Sequence, residues 1–192
     1  MIGMPSVRVA TFADLPLLPA IEQAADRMFA AVGIHFPPGP AVVEEAAGAG
    51  AEVYVVGEPP VGFAAVRERD GYTHLEQIAV RPEQTRRGIG GLLLKQVVGH
   101  AAARGAAGVT LLTFRDVPWN GPWYVRHGFS ELPEDRWGPQ IRMLWEAEIA
   151  AGLHALGPRL VMARGLPAPA SRGRRRRRAR SRPGPAGGPV LR

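Results

Sequence analysis

Residues 74–98 read HLEQIAVRPEQTRRGIGGLLLKQVV, and the turn Arg86-Arg87-Gly88-Ile89-Gly90-Gly91 within them has the composition of an anion site. A strand pattern ends at Val80, passes Pro82 and enters these glycines, which open an amphipathic helix. Glycines let successive backbone N–H groups converge on one point, and a helix N-terminus adds a field that favours negative charge. Arg86 and Arg87 supply cations suited to phosphate oxygens. The chemistry served is the holding of a pyrophosphate. Close helix packing is the other use of such glycines. A dinucleotide fingerprint would require a third spaced glycine and an acid about 20 residues on. The stretch GVTLL at 108–112 offers no acid, and no Gly-Lys-Ser/Thr closes the turn as in a kinase-type phosphate loop.

Strand alternation puts residues two apart on one face, so His74, Glu76 and Ile78 are expected to project together. Further along, Asn120-Gly121-Pro122-Trp123-Tyr124-Val125-Arg126-His127-Gly128-Phe129 brings an amide, a phenol and an imidazole into one short segment.

The elements that must position these groups alternate between strand and helix periods. Val7, Val9 and Thr11 read as a first strand, and Asp14 is expected to cap a helix carrying Leu17, Leu18, Ile21, Ala25, Met28 and Phe29 at helical spacing. After the HFPPGP loop comes a short helix near 42–47, then strands over 52–56, 61–69 and 72–80, with Asp70-Gly71 as a hairpin turn. A helix over 88–104 buries Leu92, Leu93, Val97 and Ala101, and 109–114 is a buried strand. A short helix over 119–127 ends at Gly128, Pro139 opens another with Ile141, Leu144, Trp145 and Ile149, and 160–163 closes the sheet. The fold class is α/β (α+β), with a mixed sheet.

The turn and the second segment together resemble the GCN5-related N-acetyltransferase (GNAT) family. Its cofactor signature, Arg/Gln-x-x-Gly-x-Gly/Ala at the start of a central helix, is met by Gly88-Ile89-Gly90 after Ile78-Ala79-Val80 and before Leu92-Leu93-Leu94. Thr85 stands where the signature has Arg or Gln, flanked by Gln84 and Arg86. Asn120, Tyr124 and Gly128-Phe129 match the family's Asn…Tyr-x-x-x-Gly-Phe stretch. The resemblance covers roughly residues 7–164. It implies a mostly antiparallel sheet of six to seven strands flanked by four to five helices, and direct acetyl transfer from acetyl-CoA to a primary amine of a small molecule or peptide.

Carried onto this chain, the resemblance assigns the pyrophosphate to the amides of Arg86, Arg87, Gly88, Ile89, Gly90 and Gly91. It assigns the pantetheine arm to the backbone of Ile78, Ala79 and Val80, with the Ile78 N–H aimed at the thioester oxygen. Such a donor is worth about 10²–10³ in rate in other enzymes. An amine of pKa ~10 must lose a proton before attack, and the family places its base at one of two strand positions. These are Glu76, favoured here, and His74; a salt-bridged edge and an ordinary strand histidine are the alternatives. Tyr124 would protonate the departing thiolate, or else packs as a buried aromatic. Asn120 would bond pantetheine or cap a helix. Glu22, Asp26 and His35 are able to orient a cationic acceptor, but surface solvation explains each as well. No metal is implied.

Among 192 residues, 46% are hydrophobic, 21% charged and none is cysteine, which excludes disulfides, thiolate nucleophiles and cysteine-ligated metals. No run approaches the ~20 apolar residues that cross a bilayer, and the N-terminus lacks the pattern of a secretory signal, so a cytoplasmic protein is expected. The formal charge is +7, yet nine arginines and no acid fall in residues 165–192, leaving residues 1–164 slightly acidic. That Arg-, Pro- and Gly-rich tail is expected to be disordered. It is either an arm for nucleic acid or other anionic partners, in a catalytically lapsed acyl-CoA-binding module, or an extension without a role. A homodimer is compatible with the resemblance and is not fixed by the residues.

Overall fold

The computed structural model describes residues 6–167. At the start of the expected tail Gly165 still pairs with Gly108 and the Leu166 N–H donates to the Ala107 carbonyl at 3.0 Å, and the tail beyond Pro167 lies outside the described residues. Seven strands form one sheet in the order β1-β2-β3-β4-β5-β7-β6: Val7–Val9, Glu52–Val56, Gly62–Arg69, Tyr72–Val80, Gly108–Phe114, Arg159–Gly165 (β7) and Ser130–Glu131 (β6). Every adjacent pair is antiparallel except β4 and β5. The helices are α1 (Leu18–Asp26), α2 (Val42–Gly48), α3 (Ile89–Arg104), α4 (Gly121–Arg126) and α5 (Pro139–Ala150). The expected mixed, mostly antiparallel sheet flanked by helices is what the chain forms. None of the described helices is long and apolar enough to cross a membrane.

Two cores sandwich the sheet. On one face α3 buries Ile89, Leu93, Leu94, Val97 and Ala101 against Val56, Val66, Leu75, Val109 and Leu111. Burial of each large side chain contributes roughly 1.5–3 kcal/mol. On the other face α1 and α2 set Leu18, Ile21, Val43 and Ala46 against Val53, Val55, Phe63, Ala65 and Ala79. Farther along that second face, α5 rests Ile141 on Leu132 and Val161.

Several local expectations are corrected. The first helix is shorter than its apolar spacing suggests, because after Asp26 the chain tightens into a 3₁₀ segment, Arg27–Val32, that ends at left-handed Gly33. Asp14 caps no helix. Its carboxylate accepts the N–H and hydroxyl of Thr11 and a two-pronged pair from Arg8, at 2.6 and 2.8 Å. The last strand does not close the sheet, since β7 inserts between β5 and the two-residue β6. Ile149 is 46% exposed, so α5 buries a narrower stripe than its four apolar residues imply.

The Asp70-Gly71 turn also holds α5 in place. The Asp70 carboxylate accepts the N–H groups of Gln140 and Ile141 at 3.2 and 2.9 Å, and the Asp70 N–H donates to Gln140 Oε1 at 2.7 Å. A hairpin tip thus supplies the cap for a helix 70 residues away, satisfying donors that the helix itself leaves open.

Candidate active site

The turn before α3 is shaped for an anion. Arg86 and Gly88 both adopt left-handed backbone, with φ of 61° and 79°. A non-glycine residue there is strained by about 1–3 kcal/mol, a cost found where function constrains the chain. Among the described residues the N–H groups of residues 86–91 have no protein acceptor, and the first amide returned to the helix is that of Leu92, bonded to Gly88. Arg86 and Arg87 are exposed. A Cβ on Gly90 would meet Trp123 at 3.5 Å, and one on Gly91 would meet His127 at 3.8 Å, so α4 closes in against the helix start.

Beside this turn the sheet forks. β4 and β5 share only the register pairs Thr73–Val109 and His74–Thr110, after which each runs on unpaired with the other. Near the same point β4 carries a bulge, because Ala65 faces Gln77 while Val66 faces Leu75, leaving Glu76 as the extra residue. The bulge corrects the expected alternation. Ile78 and Val80 join Leu75 on the α3 face, whereas Ala79 faces α1 and α2. Ile78 therefore does not share a face with His74 and Glu76.

Tyr124 lies in the α3-side core with Ile78 and Ile89, flanked by Trp123 and Phe129 at ring distances of 5.0 and 5.5 Å. Burial pushes its hydroxyl well above the ordinary phenol range, with nearby Arg159 acting the other way, so it stays protonated. Asn120 precedes α4 and makes no side-chain cap bond.

On the opposite face, Glu76 is paired with Arg69 at 2.8 Å, both side chains mostly buried. His74 is buried, and its Nδ1 is 3.0 Å from Thr110 Oγ1. Burial, with Arg69 nearby, pushes its pKa down to about 3, so it is neutral at any working pH and too weak a base to take a proton from an ammonium. Glu22 is not a surface group. Its two oxygens accept the N–H groups of Val42 and Val43 at 2.7 and 2.9 Å and so hold the start of α2. Burial outweighs those bonds and raises its pKa. His35 is exposed.

The structure thus gathers Ile78, Val80, residues 86–91 and Tyr124 on one side of the fork, and His74 and Glu76 on the other. Residues 49–131 match the family model described as an acetyltransferase (GNAT) domain. Those residues form a GNAT domain. An uncharacterized N-acetyltransferase of Bacillus subtilis is 35% identical over 92 residues, which are 46% of this chain and 64% of that protein. The ribosomal-protein-S18-alanine N-acetyltransferase of Escherichia coli superposes with a TM-score of 0.63 at 19% identity, covering 88% of this chain and 98% of that one. N-acetylglutamate synthase of Neisseria gonorrhoeae, solved with coenzyme A and N-acetyl-glutamate, gives 0.64 at 19% identity over 87% of this chain and 36% of its own. At these identities the two solved structures establish the GNAT fold alone.

Two residues beyond those expected lie at this fork. Gln77 accepts the Ile78 N–H through Oε1 at 3.1 Å and lies against Glu22. Arg69 neutralises Glu76. The bulge brings Gln77 into place, and neither a glycine nor a proline announces it in the sequence.

Proposed function

We propose that this chain is an acetyl-CoA-dependent N-acetyltransferase acting on primary amines of small molecules or peptides. The observation that carries the reading is the run of unbonded amides at 86–91 opening beside the β4–β5 fork, with Tyr124 in the core behind it. The turn fits a pyrophosphate because two left-handed residues converge the donors and Gly90 and Gly91 let α4 pack close. Arg86, Arg87 and the amides of Gly88, Ile89, Gly90 and Gly91 hold the diphosphate. The backbone of Ile78, Ala79 and Val80, with Asn120, lines the pantetheine arm.

The bound thioester supplies an acyl carbon activated for attack. Glu76 takes a proton from the acceptor ammonium through water, which frees the nitrogen lone pair. The C–N bond forms as the C–S bond breaks, the nitrogen sheds its second proton to water, and the Ile78 N–H stabilises the oxygen on which charge builds. Tyr124 gives its proton to the sulfur and regains one from solvent. The sum is amide, free thiol and one released proton. The reading places this work in the cytoplasm and requires no metal.

Thermal unfolding of the full chain with and without acetyl-CoA tests it, together with thiol release on adding amines. Ligand at a hundredfold excess over its Kd stabilises the native state by about 2.7 kcal/mol. A rise in Tm that an analogue lacking the pyrophosphate fails to produce is expected. An unchanged Tm overturns the reading.

A further inference from the structure

We propose that Asp26 receives the ammonium group of the acceptor and that the group carrying this amine is apolar, of about the size of an aromatic ring. The inference rests on the N-acetyltransferase reading and names the substrate class of the same site. Glu22, Asp26 and Phe29 succeed one another at helical spacing, and both ends of that stripe are anchored. Glu22 lies against Gln77 on β4, and Phe29 packs on Phe114 of β5 with ring centroids 5.8 Å apart. Asp26, between them, therefore stands over the place where β4 and β5 part.

Three carboxylates belong to this side of the fork, and two are occupied. Glu22 holds the α2 amides, and Glu76 holds Arg69. Asp26 is half-buried, and among the described residues no hydrogen bond or cation reaches it. Burial, with Glu22 adding repulsion, pushes its pKa up to about 6. A half-buried carboxylate without a partner is costly unless a cation is brought to it. The acceptor brings one, because an amine of pKa ~10 arrives protonated.

The same stripe gives the character of the group attached to the ammonium. In the 3₁₀ segment residues three apart line up, so Phe29 is succeeded by Val32. Phe29 meets Phe36 and Trp119 at 5.1 and 5.5 Å, forming an aromatic wall. A pocket of about 230 Å³ next to it is lined mainly by apolar groups, among them Val32, Ile34, Phe114 and Leu156, with Asp116, paired with Arg115 at 2.9 Å, as its charged lining residue. An apolar cavity of ~150 Å³ suffices for benzene. A hydrated amino sugar would leave its hydroxyl groups against this wall without partners.

The test compares the full-length chain with Asp26→Asn and Asp26→Glu, using 2-phenylethylamine and glucosamine as probes. Asp26→Asn is expected to raise KM for 2-phenylethylamine at least tenfold, change kcat less than threefold, and leave both acetyl-CoA affinity and Tm undiminished. Asp26→Glu recovers part of the KM. Val32→Lys, at an exposed position, is expected to raise the same KM several-fold. An unchanged KM in Asp26→Asn overturns the inference, as does a lowered Tm, which would reveal a structural partner. Equal turnover of the two amines by a wild-type chain that binds acetyl-CoA overturns it too. A wild-type chain that fails to bind acetyl-CoA overturns the acetyltransferase reading beneath it, and the inference with it.

Discussion

The side-chain oxygen of Gln77 accepts the N–H of the next residue, Ile78, at 3.1 Å. The donor assigned to the thioester oxygen is thus held by an internal acceptor, and that bond must be exchanged when substrate arrives. A neutral hydrogen bond nets about 0.5–1.5 kcal/mol. Gln77→Ala is expected to tighten acetyl-CoA binding by up to about tenfold and to leave free coenzyme A, which has no acyl oxygen, unaffected. Titration calorimetry with the two ligands reads the difference. Equal gains for both would assign the effect to something other than the Ile78 donor.

Glu76 pairs with Arg69 and is the proposed proton acceptor, and a double variant separates the two. Their side chains are 11% and 17% exposed, so removing one charge strands the other in a largely dry site. Glu76→Gln is expected to cost on the order of 2 kcal/mol, below the 3–5 kcal/mol of fully buried pairs. Adding Arg69→Met recovers most of that loss in urea unfolding. If Glu76 is the base, acetyl transfer stays depressed in the double variant. Recovery of activity together with stability makes the residue structural.

Two groups near the fork respond to acid in opposite directions. His74, with its pKa pushed down to about 3 in the fold, is more easily protonated in the unfolded chain. Its contribution is full above pH ~6.5 and is lost as pH falls toward 3. Asp26, raised to about 6, holds its proton more tightly when folded, so its contribution is present below pH ~4 and is lost as pH rises through 6. Tm of Asp26→Asn is expected to match wild type at pH 4 and exceed it at pH 7. His74→Gln is expected to flatten the fall in Tm between pH 6.5 and 4. Parallel Tm curves for either variant would contradict that assignment.

Gly138 is required by space rather than by backbone angle, since its φ of −76° suits any residue. A Cβ there would fall inside the Asp70 carboxyl that caps α5. Gly138→Ala is expected to cost about 2–3 kcal/mol, more than the ~1 kcal/mol for loss of a cap alone. In Asp70→Ala the clash disappears, so adding Gly138→Ala to that background is expected to cost little. Additive losses in chemical denaturation would place the strain elsewhere.

The α3 side of the fork is largely legible from the residues because its signals are local. Glycines at 88, 90 and 91, the α3 apolar stripe and the Tyr124 segment all lie within residues 49–131, the span of the family match. The features that escape a sequence reading depend on pairings between distant segments. No residue type at Glu76 marks it as a bulge, so plain alternation misplaces the faces of Ile78 and Val80. Glu22 holds amides 20 residues away, and Asp14 turns inward to Arg8 instead of capping. Neither partner is visible in helical spacing. The two residues of β6 carry too little pattern to read as a strand.

The brevity of the β4–β5 pairing has a mechanical meaning. With two register pairs joining four strands to three, the sheet resembles two leaves meeting at a short spine, with α3 as the binding along one side. A molecule that enters the cleft and bonds to the free edge of β4 acts as a clasp between the leaves. Amides along this seam should exchange with solvent sooner than those elsewhere in either leaf when the cleft is vacant. Once it is filled, the two leaves should open only together, so the act of loading the cleft also completes the fold.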